Sequence, residues 1–182
     1  MASNIEATPD IGAERWCSNN PRSYRIKWKP AIDTYTRWFN IHTIRHISLA
    51  YPTARKWYAN QTKPIYLQEA QPDIPSSITF PRQQVLDYFN TRYFTCSVTW
   101  LIAFAIMEGF NRIELHGFEL KRDRQYDFER PCFFYWIEEA RRRGIDVYLP
   151  PDVEVTPPGD PSTYDGPLYG YEPHNEIYAR TF

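Results

Sequence analysis

The chain has 182 residues, enough for one domain with a sizeable core. Its 21 Lys and Arg against 22 Asp and Glu leave a net charge of −1, which argues against a partner held by bulk charge, nucleic acid above all. Aromatic residues make up 17% of it, and prolines outnumber glycines 16 to 7, so the composition predicts an aromatic core or ligand surface with stiff connections.

Residues 1–13 are polar and read as an N-terminal arm. Residues 14–18 (ERWCS) read as a short strand, and Asn19-Asn20-Pro21 as the turn after it. In 22–29 the cations Arg22, Arg25, Lys27 and Lys29 alternate with Tyr24, Ile26 and Trp28. That pattern suits an edge strand or loop with solvated charges; taken with 121–124, it is also the basis for a nucleic-acid-associated reading. Residues 35–41 (YTRWFNI) form a better strand, with His42 just beyond its carboxyl end. Residues 45–60 have helical character, but Pro52 predicts a break near Tyr51. A short strand follows at 65–68. Residues 69–77 (EAQPDIPSS) read as a turn-rich loop. Pro81 opens a helix through about Phe89, with Val85, Leu86 and Phe89 on one face.

The stretch 94–150 carries the clearest pattern. Residues 98–107 are almost wholly apolar and predict a helix closed by Gly109. A strand follows at 112–116, then a polar loop over 117–128. Pro131 is placed in the first turn of the next helix. That helix ends at Gly144 after Arg141, Arg142 and Arg143, whose charge suits a helix C-terminus. The second strand is 145–149. Strand, helix and strand make a βαβ unit with parallel strands. Such a sheet takes ligands at the carboxyl ends of its strands, which points to the loop 117–128. Residues 151–182 read as a Pro-rich tail packed over the domain or onto a partner. The expected domain proper is therefore 14–150, α/β in class.

Three features carry candidate chemistry. Thr95-Cys96-Ser97, at the start of the central helix, offers hydroxyls and free backbone N–H groups to an anion or polar ligand; an ordinary helix cap has the same composition. The loop carries Glu119, Lys121, Arg122, Arg124 and Tyr126, a cationic and phenolic set suited to a phosphate leaving group. His42, His46 and His116 are available as bases, His42 being the best placed. His42 and His46 have i, i+4 spacing, but a metal site needs a further ligand, and no H-E-x-x-H occurs. The cysteines, Cys17, Cys96 and Cys132, are odd in number and lack zinc spacing, which predicts a reducing compartment. The phosphate-loop, dinucleotide and nucleophile-elbow motifs do not occur. The N-terminus lacks a signal peptide's apolar core, and no apolar run reaches the roughly 18 residues of a membrane span. A soluble, cytoplasmic chain without a membrane partner is the expectation.

The stretches RWCSNN (15–20), TRWFNIH (36–42), PIYLQEAQPDIPSSITFP (64–81), RYFTCSVTWLIAFAIMEGFNRIELHGFEL (92–120), YDFERPCFFYWIEEARRRGIDVYLP (126–150) and LYGYE (168–172) resemble a group of uncharacterised bacteriophage-encoded, Rossmann-like proteins. More distantly, the organisation is similar to bacterial sialyltransferases that use CMP-sialic acid, and to domains around archaeal-type pterin diphosphokinases. The resemblance implies a three-layer, Rossmann-like α/β domain with a short, mostly parallel sheet. The apolar first strand and glycine turn of those relatives have no counterpart before Arg15. It further implies that Asn19, Thr95, Cys96 and Ser97 contact a nucleotide. His116-Gly117-Phe118-Glu119 echoes the relatives' S-G-I-D turn, which brings Glu119 to the ligand end. Tyr126 and Lys121 fall at or near the positions of a tyrosine pair that holds the leaving phosphate, with Arg124 beside them. The expected activity is transfer of a sugar from a nucleotide donor, CMP- or another NDP-sugar, with no metal or other cofactor required. His42, Tyr126 and Lys121 would be the catalytic set. The alternative is a non-catalytic phage protein on the same scaffold, a virion component or an antagonist that sequesters a host factor or nucleotide. Either reading places the chain in the host cytoplasm or on the particle.

Overall fold

The computed structural model describes residues 13–19, 21, 29–116 and 124–172. Among them the architecture is mixed α/β with short, wholly parallel strands, a Rossmann-like alternation of strand and helix. The chain divides into two compact units, Met1–Pro81 and Arg82–Phe182. No helix among the described residues is long and apolar enough to cross a membrane.

In the first unit, strands β1 (Trp16–Ser18), β2 (Arg37–Asn40), β3 (Ile65–Leu67) and β4 (Ser77–Thr79) form one sheet in the order β1-β2-β3-β4. Its helices are α1 (Lys29–Thr34), α2 (Ile44–Ala50) and α3 (Pro52–Ala59). The parallel register pairs Cys17 with Trp38 and Trp38 with Ile65, so these side chains share one face. They form a single buried cluster with Leu67, Ile47 of α2, and Ala54 and Tyr58 of α3, and Ile32 of α1 packs against it. All three helices therefore cover the same face. Crossovers of one hand that step the same way across a sheet give this result. The opposite face is aromatic: Phe39 lies 4.8 Å from the Trp16 ring, stacks on Tyr66 at 4.8 Å and meets the edge of Phe80.

The predicted helix break falls at Tyr51, which closes α2 by donating to the Ile47 carbonyl (2.9 Å) and precedes Pro52 at the start of α3. Two expectations change. Residues 69–77 were expected to be loop, yet Ser77 opens the edge strand β4. The connection 68–76 joins parallel strands without a helix. Side chains fasten it: Ser77 Oγ accepts from Gln71 N (2.8 Å) and Thr79 Oγ1 accepts from Ala70 N (3.0 Å). Lys29, expected in an edge strand or loop, instead opens α1 with Pro30 in its first turn; 22–28 lies outside the described residues.

The second unit contains α4 (Arg82–Phe89), α5 (Ser97–Met107), β5 (Arg112–Glu114), α6 (Arg124–Arg142) and β6 (Asp146–Tyr148). The βαβ unit is present, with β5 and β6 parallel and Ile113 opposite Val147, and these strands make a two-stranded sheet of their own. Helix α5 is apolar all round and buried nearly all round, from Ser97 to Ile106. Gly109 and Gly144, at φ 82 and 80, take the left-handed positions after α5 and α6. Pro131 is not in a first turn: α6 begins at Arg124 and Pro131 lies inside it. Its missing N–H leaves the carbonyl four residues back without a helical partner, a cost of about 3 kcal/mol. Packing outweighs that cost, since Cys132, Phe133, Phe134, Trp136, Ile137 and Ala140 are all buried.

The Pro-rich segment packs onto this unit. Gly159 N–H donates to the Pro131 carbonyl (2.8 Å), Tyr169 N–H to Phe94 O (3.2 Å), and Trp100 Nε1 to Tyr169 O (3.2 Å). Arg92 pairs with Glu172, and Arg82 lies over the Tyr171 ring at 4.6 Å. A Cβ on Gly159 would overlap Tyr93 Oη and sit 2.9 Å from Pro131 Cβ. Gly159→Ala is therefore expected to cost about 1–3 kcal/mol. Thermal unfolding checks this, and Tyr93→Phe in the same chain should recover part of the loss. An unchanged Tm for Gly159→Ala would contradict the seating of the segment.

Candidate functional site

All four strands of the first unit end on the same edge, and a chain of hydrogen bonds ties the first two ends to α3. Asn19, just past β1, has φ 66, a left-handed conformation that asparagine tolerates. Its N–H donates to Phe39 O (2.9 Å), and its carbonyl accepts from Trp38 Nε1 (2.9 Å) and from the Tyr58 hydroxyl (3.0 Å). Asn40 ends β2 and is only 1% exposed. Its Nδ2 donates to Tyr58 Oη (2.9 Å), and its Oδ1 accepts from the backbone N–H of His42 (3.2 Å). Burial pushes the Tyr58 phenol up to about 12, so it stays a neutral link in the chain.

Beside these ends is a cavity of about 180 Å³ lined by His42, Thr43, Ile44 and Ile47 on one side and Leu67, Gln68, Glu69 and Gln71 on the other. Ile47 and Leu67 are buried and give it an apolar floor. The polar groups come from the ends of β2 and β3. Thr43 caps α2 by accepting from His46 N–H (3.1 Å), and the His42 and His46 rings lie 4.9 Å apart. Gln68 Nε2 donates to the Ile41 carbonyl (3.2 Å), joining β3 to β2 at this edge. Behind Gln71 the connection is held by Arg55, which donates to Asp73 through Nε (2.7 Å) and Nη2 (2.8 Å) and to Ser48 Oγ (3.2 Å). That hydrogen bonding holds the Asp73 carboxyl below the usual carboxylate range.

The cavity is smaller than the about 300–1,000 Å³ of most ligand sites and suits a single sugar ring or part of a larger ligand. An imidazole supplies a proton acceptor near neutral pH. An amide and a carboxylate beside it suit hydroxyls better than phosphate, because Glu69 repels an anion. No family model, no curated protein and no solved structure matches the chain.

The site residues expected from sequence fall in both units. Asn19 and His42 share the edge just described. Thr95, Cys96 and Ser97 lie at the start of α5, where Cys96 is the N-cap residue and makes no side-chain capping bond. These three are 0–7% exposed. Thr95 Oγ1 is buried without a hydrogen-bond partner that meets ordinary geometry, against the Cys132 thiol. Thr99 Oγ1 donates to Cys96 O (2.7 Å), and Cys132 Sγ donates to Tyr93 O (3.2 Å). Arg124 and Tyr126 were expected in the loop 117–128 but belong to the first turn of α6. Helix α6 starts well before Pro131, and 117–123 lie outside the described residues. Glu119, Lys121 and Arg122 lie outside the described residues. Among the described residues no group of three His, Cys, Asp or Glu could hold a metal ion.

Several polar residues were not nominated from sequence. Asn40, Gln68 and Glu69 are ordinary at strand ends, and only the parallel topology gathers them. Glu129 and Arg130 are buried in α6, each 4% exposed. Glu129 had a signal, since it continues the i, i+4, i+7 stripe of Phe133, Trp136 and Ala140.

Burial raises the thiol of Cys96 and pushes that of Cys132 up to about 12. Both therefore stay protonated in the folded chain near neutral pH, and neither is an activated nucleophile. Below about 9 both states hold these protons and stability is independent of them. Above it the unfolded chain ionises first, so stability falls as pH rises toward about 12. Native protein is expected to resist a thiol reagent at all three buried cysteines and to react fully in guanidinium. Rapid native labelling at neutral pH would contradict the burial.

Proposed function

We propose that the chain is a glycosyltransferase-like protein that binds a nucleotide sugar, with the first unit's cavity taking sugar or acceptor hydroxyls. The observation that carries the reading is the cavity at the carboxyl ends of β2 and β3, where His42, Gln68 and Glu69 converge. In this reading His42 accepts the proton of an acceptor hydroxyl, and Gln68 and Glu69 orient the hydroxyls around it. On the resemblance to CMP-sialic-acid-dependent transferases, Asn19 is proposed to contact the nucleotide within the first unit, and Thr95, Ser97, Arg124 and Tyr126 are separately proposed as nucleotide and phosphate contacts within the second. Lys121 would add a cation to the leaving phosphate. The burial of Thr95, Cys96 and Ser97 favours a second reading, a phage protein that keeps the scaffold but has lost the chemistry.

A thermal-shift screen against CMP, CDP, UDP, GDP and their sugars separates the two. A ligand that binds only the folded chain stabilises it by about 2.7 kcal/mol at a hundredfold excess over its Kd. One nucleotide class is expected to raise Tm, and its sugar to raise it further. His42→Ala is expected to remove the increment due to the sugar, and Tyr126→Phe with Thr95→Val the part due to the nucleotide. A flat screen would overturn the transferase reading and favour the non-catalytic one.

A further inference from the structure

The outer face of the β5–β6 pair combines an exposed aromatic ring with an imidazole and a carboxylate. Along these strands Ile113, Leu115 and Ile145 are buried, while Arg112, Glu114, Asp146 and Tyr148 are exposed. His116 follows Glu114 by two residues and keeps to the same side. Its Nε2 lies 3.1 Å from Glu114 Oε2, and its ring lies 5.5 Å from that of Tyr148 at 36°. The carboxylate engages Nε2, and among the described residues Nδ1 has no hydrogen-bond partner. The Tyr148 residue is 42% exposed, which is high for so large an aromatic side chain. This cluster sits where β5 ends, the end at which parallel strands present ligands.

The charges select the ligand. Arg112 pairs with both Glu114 and Asp146 at 2.8 Å, so one cation meets two carboxylates. Among the described residues this leaves an excess of negative charge, which disfavours phosphate and other anions. An exposed phenol ring beside an imidazole nitrogen and a carboxylate suits a ligand with both an apolar face and hydroxyls. We propose that the face formed by Glu114, His116 and Tyr148 is a binding site for a neutral carbohydrate, with the sugar ring over Tyr148 and its hydroxyls on His116 and Glu114. The site lies wholly in the second unit and does not depend on the nucleotide-sugar reading.

Titration of the full ¹⁵N-labelled chain with N-acetylglucosamine, galactose and lactose tests it, with inorganic phosphate as the anionic control. At least one sugar is expected to shift the resonances of Leu115, His116 and Tyr148, with a Kd of about 1 mM. Tyr148→Ala should weaken that binding at least about tenfold, and Tyr148→Phe, which keeps the ring, by less. His42→Ala should leave it unchanged. Both replaced side chains are partly exposed, and the dispersion of each variant's spectrum reports whether it has folded. The proposal is overturned if no sugar shifts these residues, if phosphate shifts them and sugars do not, or if Tyr148→Ala binds as well as the native chain.

Discussion

Trp38→Ala is expected to cost the first unit about 3–5 kcal/mol, the range for removing a large buried aromatic. Trp38 is 0% exposed. Its ring meets Trp57 at 4.7 Å and the edge of Tyr35 at 5.4 Å, and its Nε1 donates to Asn19 O. It is also the register residue between β1 and β3, paired with Cys17 on one side and Ile65 on the other. Alanine would leave a cavity at the centre of the sheet's helical face, where α1, α2 and α3 all converge. Trp38→Phe keeps most of the buried area and should cost much less. Asn19 O would still accept from Tyr58, so the lost hydrogen bond is the smaller part of the effect. Urea unfolding followed by tryptophan fluorescence and circular dichroism measures the difference. A loss below about 1 kcal/mol for Trp38→Ala would contradict a single core organised on this ring.

Asn40→Leu is expected to lose about 2–4 kcal/mol and to disturb the candidate site together with the fold, at about 1–3 kcal/mol for each buried partner left open. The amide serves Tyr58 through Nδ2 and the backbone of His42 through Oδ1. Leucine fills similar volume but answers neither group. The His42 N–H would lose its acceptor, and the backbone entering α2 would lose the bond that sets its direction. Tyr58 retains its bond to Asn19, so the ends of β1 and α3 stay tied. The sugar-dependent part of any thermal shift should therefore fall more in Asn40→Leu than in Tyr58→Phe. Equal losses in the two variants would mean that Asn40 acts only on stability.

Much of this fold is legible in the chain. The strands at 14–18, 35–41, 65–68, 112–116 and 145–149 are short aromatic or β-branched runs bounded by turn residues, and each has its strand in the structure. Pro52 placed the break between α2 and α3 because a proline cannot continue the helix before it. The same rule misplaced Pro131, because the apolar stripe from Phe133 to Ala140 holds α6 together through the missing hydrogen bond. The β4 strand escaped because Ser77–Thr79 is a short edge segment with little apolar content, fixed by side chains of the preceding connection. His42 was nominated because a base beyond a strand end has a geometric rationale, and it lines the cavity. Asn40, Gln68 and Glu69 were not, since their convergence depends on the order β1-β2-β3-β4, which no local pattern encodes. The start of α5 was located correctly, but not its burial, which comes from packing with Cys132 of α6 and Tyr93.

Histidine footprinting tests whether ligands bind at the carboxyl edge of the four-stranded sheet. Carbethoxylation of the native chain, read peptide by peptide by mass spectrometry, would compare His42, His46 and His116 with and without CMP- and UDP-sugars. A nucleotide sugar is expected to slow modification of His42 severalfold and to leave His116 unchanged. Equal rates at His42 in the presence of a sugar nucleotide that raises Tm would contradict it, and would place the ligand elsewhere on the chain.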